Sequence, residues 1–231
     1  MVAAGLLAAF VVAAAPVHAD PDVAGRMAEL GAGSGFVYRR ASTDPGSNPG
    51  GIRYGGFVGI DAQARVYVVP WLRVAVYYLG GYASIDIPRG AASIEYDELD
   101  LGKAWAFSLG GRVEPTWHVS DRFRAFGIVG AGWGRMKTPP MQVKNEATSY
   151  AVDRRAGVWI EFPVGLGATV DVVRDRLGLS FESTLAPHSS QSGSLFGAVQ
   201  YVDSSGTMGH VQGMPKLSLS LATMLNVVVE L

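Results

Sequence analysis

The last stretch of the chain, residues 216–231, alternates strictly. Leu217, Leu219, Leu221, Thr223, Leu225, Val227, Val229 and Leu231 share one parity. Lys216, Ser218, Ser220, Ala222, Met224, Asn226, Val228 and Glu230 share the other. Successive side chains of a β-strand point to opposite faces, so this run reads as a strand with two chemically different sides. A second run, Arg155 to Val172, behaves the same way. Ala156, Val158, Ile160, Phe162, Val164, Leu166, Ala168, Val170 and Val172 form its apolar face. Arg155, Gly157, Trp159, Glu161, Pro163, Gly165, Gly167, Thr169 and Asp171 oppose them.

Six further segments read as strands, at about 28–40, 52–69, 72–87, 101–119, 122–136 and 177–186, giving eight in all. The connections alternate in length. Val69-Pro70-Trp71, Ser120-Asp121 and Arg174-Asp175-Arg176 are tight. The stretches 41–51, 88–100, 137–153 and 187–213 are longer and polar. Tight turns at one end and long loops at the other describe an up-and-down antiparallel meander. With an even strand count the first and last strands meet at the short-turn end and can close the sheet.

Which face points inward decides the class. A soluble barrel buries its apolar face; a membrane barrel turns that face to lipid. Here the apolar faces carry bulky side chains and almost no charge. The opposite faces mix glycine with charges of both signs, and a small soluble core could not bury so many ions cheaply. Several strands exceed the ~9–11 residues a membrane crossing needs. Phe123 and Trp133 share a face ten residues apart, which spans roughly 25 Å at the tilt of such strands. Trp105 and Trp117 repeat the spacing. The expected fold is therefore all-β, an eight-stranded antiparallel up-and-down transmembrane β-barrel.

Composition narrows the function classes. Charged residues are 17% and apolar residues 48%, and Lys plus Arg (19) nearly balances Asp plus Glu (20). That leaves no basic excess for a nucleic-acid partner. The chain has no cysteine, so disulfides, thiolate zinc sites and cysteine nucleophiles are excluded. Residues 2–15 are almost wholly apolar, and Val17-His18-Ala19 fits a secretory cleavage pattern. The expected division is a signal peptide at 1–19 and an outer-membrane barrel domain at 20–231.

From about residue 21 onward the chain resembles the small eight-stranded outer-membrane barrels of Gram-negative bacteria, the class of the OmpA membrane domain, OmpX and the opacity-type proteins. The likeness rests on the signal peptide, the alternation, the loop asymmetry and the amphipathic last strand. Leu231 stands where that class ends on an aromatic. The resemblance implies an outer-membrane location and assembly by the barrel-assembly machinery, with outer-membrane lipid and lipopolysaccharide as neighbours.

The lumen is the first candidate site. Arg73, His118, Arg124, Asp171 and Glu230 fall near the short-turn end. Asp61, Arg65, Arg112, Glu114 and Glu182 fall in the middle, and Arg53, Arg155, Glu161 and Lys216 higher. From these, a lumen charge network of Arg53, Asp61, Arg65, Arg112, Glu114, Glu161, Glu182 and Lys216 is expected to plug the interior. Eight strands leave room only for side chains, which excludes an open porin. A small gated channel, opened by rearranging pairs such as Arg112 with Glu182 or Glu161, is the alternative.

Catalytic signals are weak. His118-Val119-Ser120 is similar to the His-x-Ser pair of lipid A deacylases, but it falls at a tight turn and no orienting partner is evident in the sequence. The glycine runs 31–35 and 130–134 have period 2 and no following helix, so they make room for neighbouring side chains rather than cradle phosphate. Glu95, Asp97, Glu98 and Asp100 read as a solvated acidic loop. No catalytic, cofactor or metal residue is assigned. A lipid-modifying enzyme and a lipocalin-like carrier remain rival classes. Loops 137–153 and 187–213 are candidate surfaces for an extracellular partner. Lys137, Lys144, Arg154 and Arg155 lie near the membrane rim, within reach of lipopolysaccharide phosphates. The expected function is a structural or surface-interaction role without enzymatic activity.

Overall fold

The alternating runs form eight long antiparallel strands: β1 (Ala28–Ala41), β2 (Phe57–Val69), β3 (Leu72–Ala83), β4 (Ala104–Ser120), β5 (Phe123–Lys137), β6 in two segments (Ala156–Glu161 and Val164–Val173), β7 (Leu177–Ser192) and β8 (Leu217–Glu230). This computed structural model describes residues 28–42, 53–86, 98–100, 103–144, 149–174, 176–202, 206, 208–211 and 213–231. The expected signal peptide, 1–19, lies outside the described residues, as do Glu95 and Asp97.

Each long strand pairs with its sequence neighbours, and β8 pairs with β1, so the sheet closes. The closing register sets Glu29 opposite Glu230 and Arg39 opposite Ser220. On its other edge β8 meets β7, with Leu179 opposite Val227. Tight turns lie at one end, at Pro70–Trp71, at Asp121–Arg122 and where Arg176 N–H donates to Val173 O at 3.1 Å, beside the start of β1 and the end of β8.

Strand β6 breaks at Phe162-Pro163, because proline brings no N–H to the ladder. The break is bridged on both sides: Gly130 N–H donates to Pro163 O at 2.9 Å, and Phe162 N–H to Pro187 O at 3.1 Å. Strand β7 runs six residues beyond the expected 177–186. The loop strands form separate small sheets: Arg53–Tyr54 with Ile85–Asp86, Glu98–Asp100 with Met141–Lys144 and Ser149–Val152, and Val199–Val202 with Met208–Val211.

The apolar parity points outward. Val58, Val76, Leu109, Leu166, Phe181 and Leu225 are all more than half exposed. Phe123 and Trp133 both face out. Toward the loop end the outward rings touch: Tyr82 meets Trp105 edge-on at 4.9 Å, and Phe107 meets Trp133 at 5.6 Å. Glycines on the inward parity make room for large neighbours. A Cβ on Gly132 would overlap the Tyr77 hydroxyl, and one on Gly134 would overlap the Trp159 ring.

Candidate functional site

Among the described residues, five arginines and seven carboxylates point into the lumen below its mouth: Arg39, Arg65, Arg73, Arg112 and Arg124 with Glu29, Asp61, Glu114, Glu161, Asp171, Glu182 and Glu230. They are sorted by height. At the short-turn end Arg124 Nη1 donates to Glu29 Oε1 at 2.6 Å and to the Tyr67 hydroxyl at 2.8 Å. Its Nη2 donates to Asp171 at 2.8 Å and also reaches Glu230. Arg73 pairs with Glu29 at 2.8 Å and Glu114 at 2.9 Å.

One level up, Arg65 Nε donates to Glu114 at 3.1 Å, and Arg65 Nη2 donates to Glu182. Arg112 Nη1 donates to Glu182 at 2.9 Å. Gln63 bridges the same group, donating to Glu182 at 3.0 Å and to Asp61. Asn226 donates to Asp61 at 2.9 Å. Every long strand supplies a group to this lower network, β6 through its second segment. Burying unpaired ions is costly, and mutual pairing with extra hydrogen bonds offsets that cost.

The upper lumen differs. Glu161 accepts three neutral donors: Tyr77 Oη at 2.9 Å, Ser108 Oγ at 2.8 Å and Trp159 Nε1 at 3.0 Å. Arg39 lies over the Phe57 ring at 5.0 Å and the Trp159 ring at 5.4 Å. Its Nε and Nη1 have no hydrogen-bond partner among the described residues. A cavity of about 10 Å³, lined by Arg39, Arg112, Glu161 and Ser220 among others, adjoins it. That is room for about one water molecule.

Above this level apolar side chains pack together at the mouth. Tyr54, Ile85, Leu195 and Met214 from the loops pack against Ala104, Ala106, Met136, Trp159 and Leu217 of the wall. The segment after β7 folds back into the opening. Leu195 N–H donates to Ala156 O at 3.0 Å, and Met214 N–H to Leu195 O at 2.7 Å. Arg155 Nε donates to Ser194 O at 3.0 Å, and its Nη2 to Gly197 O. Burial holds the Arg155 guanidinium below its ordinary value. The Tyr54 hydroxyl donates to Pro215 O at 2.7 Å. Burial pushes that phenol above its usual range.

Of the residues expected in the lumen network, Asp61, Arg65, Arg112, Glu114, Glu161 and Glu182 are buried there. Arg53 and Lys216 are not: both are exposed in the loops. Strand parity does not extend to them, because the residues before β2 and β8 leave the barrel ladder. Glu29, Arg39, Gln63, Tyr67, Tyr77, Trp159 and Asn226 join the network without having been singled out. All fall on the inward parity of their strands, which is the signal that finds them.

The His118-Ser120 pair does not form a catalytic arrangement. Ser120 Oγ accepts the N–H of Phe123 at 3.2 Å, closing the turn it sits in. A different pair does meet: His188 Nε2 and Ser220 Oγ lie 2.8 Å apart, with Trp159 stacked on the imidazole. His188 Nδ1 is buried with no hydrogen-bond partner among the described residues. No orienting acceptor is therefore in place for a base at Nε2.

No protein-family model matches the chain, and no curated protein matches it in sequence. Among solved structures it is similar to a major outer membrane protein from Thermus thermophilus, with TM-score 0.53 and 11% identity, covering 90% of this chain and 100% of that one. It is also similar to Neisserial surface protein A (TM-score 0.43, 12% identity, 88% and 97% covered) and to Ail, the attachment invasion locus protein of Yersinia pestis (0.45, 10%, 89% and 97%). The likeness to the Thermus protein is one of fold, and the fold is that of an outer-membrane β-barrel.

Proposed function

We propose that this chain spans the outer membrane as a barrel with a closed lumen and serves a structural or surface-interaction role without enzymatic activity. One observation carries the reading. Among the described residues, the outward faces of the long strands hold three charged residues, Arg40, Arg135 and Lys137, whereas twelve arginines and carboxylates face the lumen. Lipid outside and paired ions inside account for that inversion; water outside does not. The closed interior is supported by two barriers in series, the ion-paired plug and the apolar cap. The neighbours proposed for it are outer-membrane lipid, lipopolysaccharide and the barrel-assembly machinery, with an extracellular partner at loops 137–153 and 187–213.

Gel mobility of unboiled against boiled protein from outer-membrane fractions tests the barrel, and planar-bilayer recording tests the closure. A heat-dependent shift with no conductance steps is expected. A shift with discrete conductance steps favours the gated channel instead. A periplasmic protein with no shift removes the membrane reading and returns the soluble carrier.

A further inference from the structure

The lower lumen pairs its ions, whereas the upper lumen leaves a guanidinium over. Arg39 is 1% exposed and packs on the faces of Phe57 and Trp159. Its Nε and Nη1 donate to nothing among the described residues. An arginine side chain keeps its charge in any protein environment. Ring faces attract that charge, yet each buried N–H without an acceptor costs free energy. Glu161 lines the same cavity, but its oxygens accept from Tyr77, Ser108 and Trp159 rather than from Arg39.

The strand register gathers the rest of the wall. Arg39 of β1 stands opposite Ser220 of β8, and Ser220 opposite Ala186 of β7. Arg112 reaches the cavity from β4. Its Nη1 holds Glu182, and its Nε has no partner among the described residues. His188 Nε2 lies 2.8 Å from Ser220 Oγ. With the imidazole proton on Nε2, Ser220 Oγ accepts it, and the serine hydroxyl is left to donate into the cavity. The unpartnered nitrogens of the two arginines that line this cavity, Arg39 Nε and Nη1 and Arg112 Nε, are all donors. What they lack is an acceptor, in a space of about 10 Å³, the room of about one water molecule.

We propose that the upper lumen binds a monovalent anion of the halide class, held by Arg39, Arg112 and the Ser220 hydroxyl. A halide accepts from several donors at once and brings no proton that needs an acceptor. A water molecule would have to place two protons, and Glu161, the acceptor at hand, already takes three bonds. The space is too small for a tetrahedral oxyanion. The Glu161 charge beside the two guanidiniums favours an anion of single charge.

The test is equilibrium dialysis of the full chain in detergent against millimolar sodium bromide, with gluconate as the balancing anion and bromide read by elemental mass spectrometry. Wild type should carry about one bromide per chain above the dialysate. Arg39→Gln should abolish that excess. Ser220→Ala keeps both guanidiniums and should weaken binding about tenfold. Arg40→Gln alters the outward neighbour of Arg39 and should change nothing. The urea midpoint of the gel-shifted form should rise with bromide in wild type and in Arg40→Gln by mass action, and stay level in Arg39→Gln. The gel shift shows which variants are folded. If Arg39→Gln is not, wild type and Ser220→Ala decide. No excess bromide on wild type overturns the site and assigns the cavity to water. An equal excess on wild type and on folded Arg39→Gln or Ser220→Ala overturns it too, since the bromide then lies on other cations.

Discussion

Arg124 Nη1 donates to Glu29 Oε1 at 2.6 Å, joining β5 to β1 across the full width of the ring. Neither side chain is exposed beyond 1%. Arg124 also faces Asp171 and Glu230, so one guanidinium gathers carboxylates from β1, β6 and β8. The ladder joins neighbouring strands only, so this contact fixes the distance between opposite walls.

Removing that cation should therefore cost more than removing one of its partners. Arg124→Met leaves three carboxylates short of a cation, and breaking a buried pair from one side costs ~3–5 kcal/mol. Glu29→Gln keeps hydrogen-bonding capacity and removes one charge, so its loss should be smaller. Urea titration of the gel-shifted form measures both. Equal midpoints for the two variants would show that Arg124 is not the hub of the lower plug.

The lipid face makes a separate prediction. Val164 opens the second segment of β6 and points outward. Val164→Arg should cost ~2–4 kcal/mol at the depth of mid-bilayer, falling toward the interfaces. The expected outcome is loss of heat-shifted protein from the outer membrane, with the variant recovered unassembled. Wild-type yield of the folded form would count against lipid at that face.

Most of the barrel is legible in the sequence because strand parity has a single physical cause. Wherever one face is buried in ions and the other in lipid, each residue is committed to a side, and runs such as 217–229 read directly. The departures occur where that cause lapses. Arg53 and Lys216 lie just beyond the ladder, so counting parity through the loop misplaces them. The Phe162-Pro163 break is invisible to hydropathy, since both residues keep the alternation. The apolar cap is illegible for another reason: Tyr54, Ile85, Leu195 and Met214 come from three loops, and no local pattern states that they meet. Adjacent Arg39 and Arg40 look alike in sequence, yet one enters the lumen and the other faces out.

The cap should respond to pH through Tyr54. Its phenol donates to Pro215 O and stays neutral in place, with its folded pKa raised above the ordinary ~10. A raised folded value gives stability that is fully present below about pH 10 and is lost as pH climbs through the folded value. The 193–216 segment should therefore become sensitive to protease above pH 10 in wild type, with the barrel itself still heat-shifted. Tyr54→Phe should show greater sensitivity already at pH 7 and no further step at high pH. A step of the same size in Tyr54→Phe would assign the transition to another group.

In the proposed closed lumen, plug and cap lie in series, so neither alone should set the conductance. Replacing residues 194–213 with a short Gly-Ser linker removes Leu195 and the acceptors of Arg155, yet leaves Arg65, Arg73, Arg112 and Arg124 in their pairs below. Arg65→Ala opens the plug at its middle level and leaves Glu114 and Glu182 with less cationic cover, but the apolar cap remains above it. Each single change should give a barrel that is heat-shifted and non-conducting in planar bilayers. The combination should conduct, and cations should pass in preference, because the freed carboxylates then line the path. Conductance from the linker variant alone would show that the ion-paired network is permeable as it stands, and the closed-lumen reading would give way to a channel gated at its mouth.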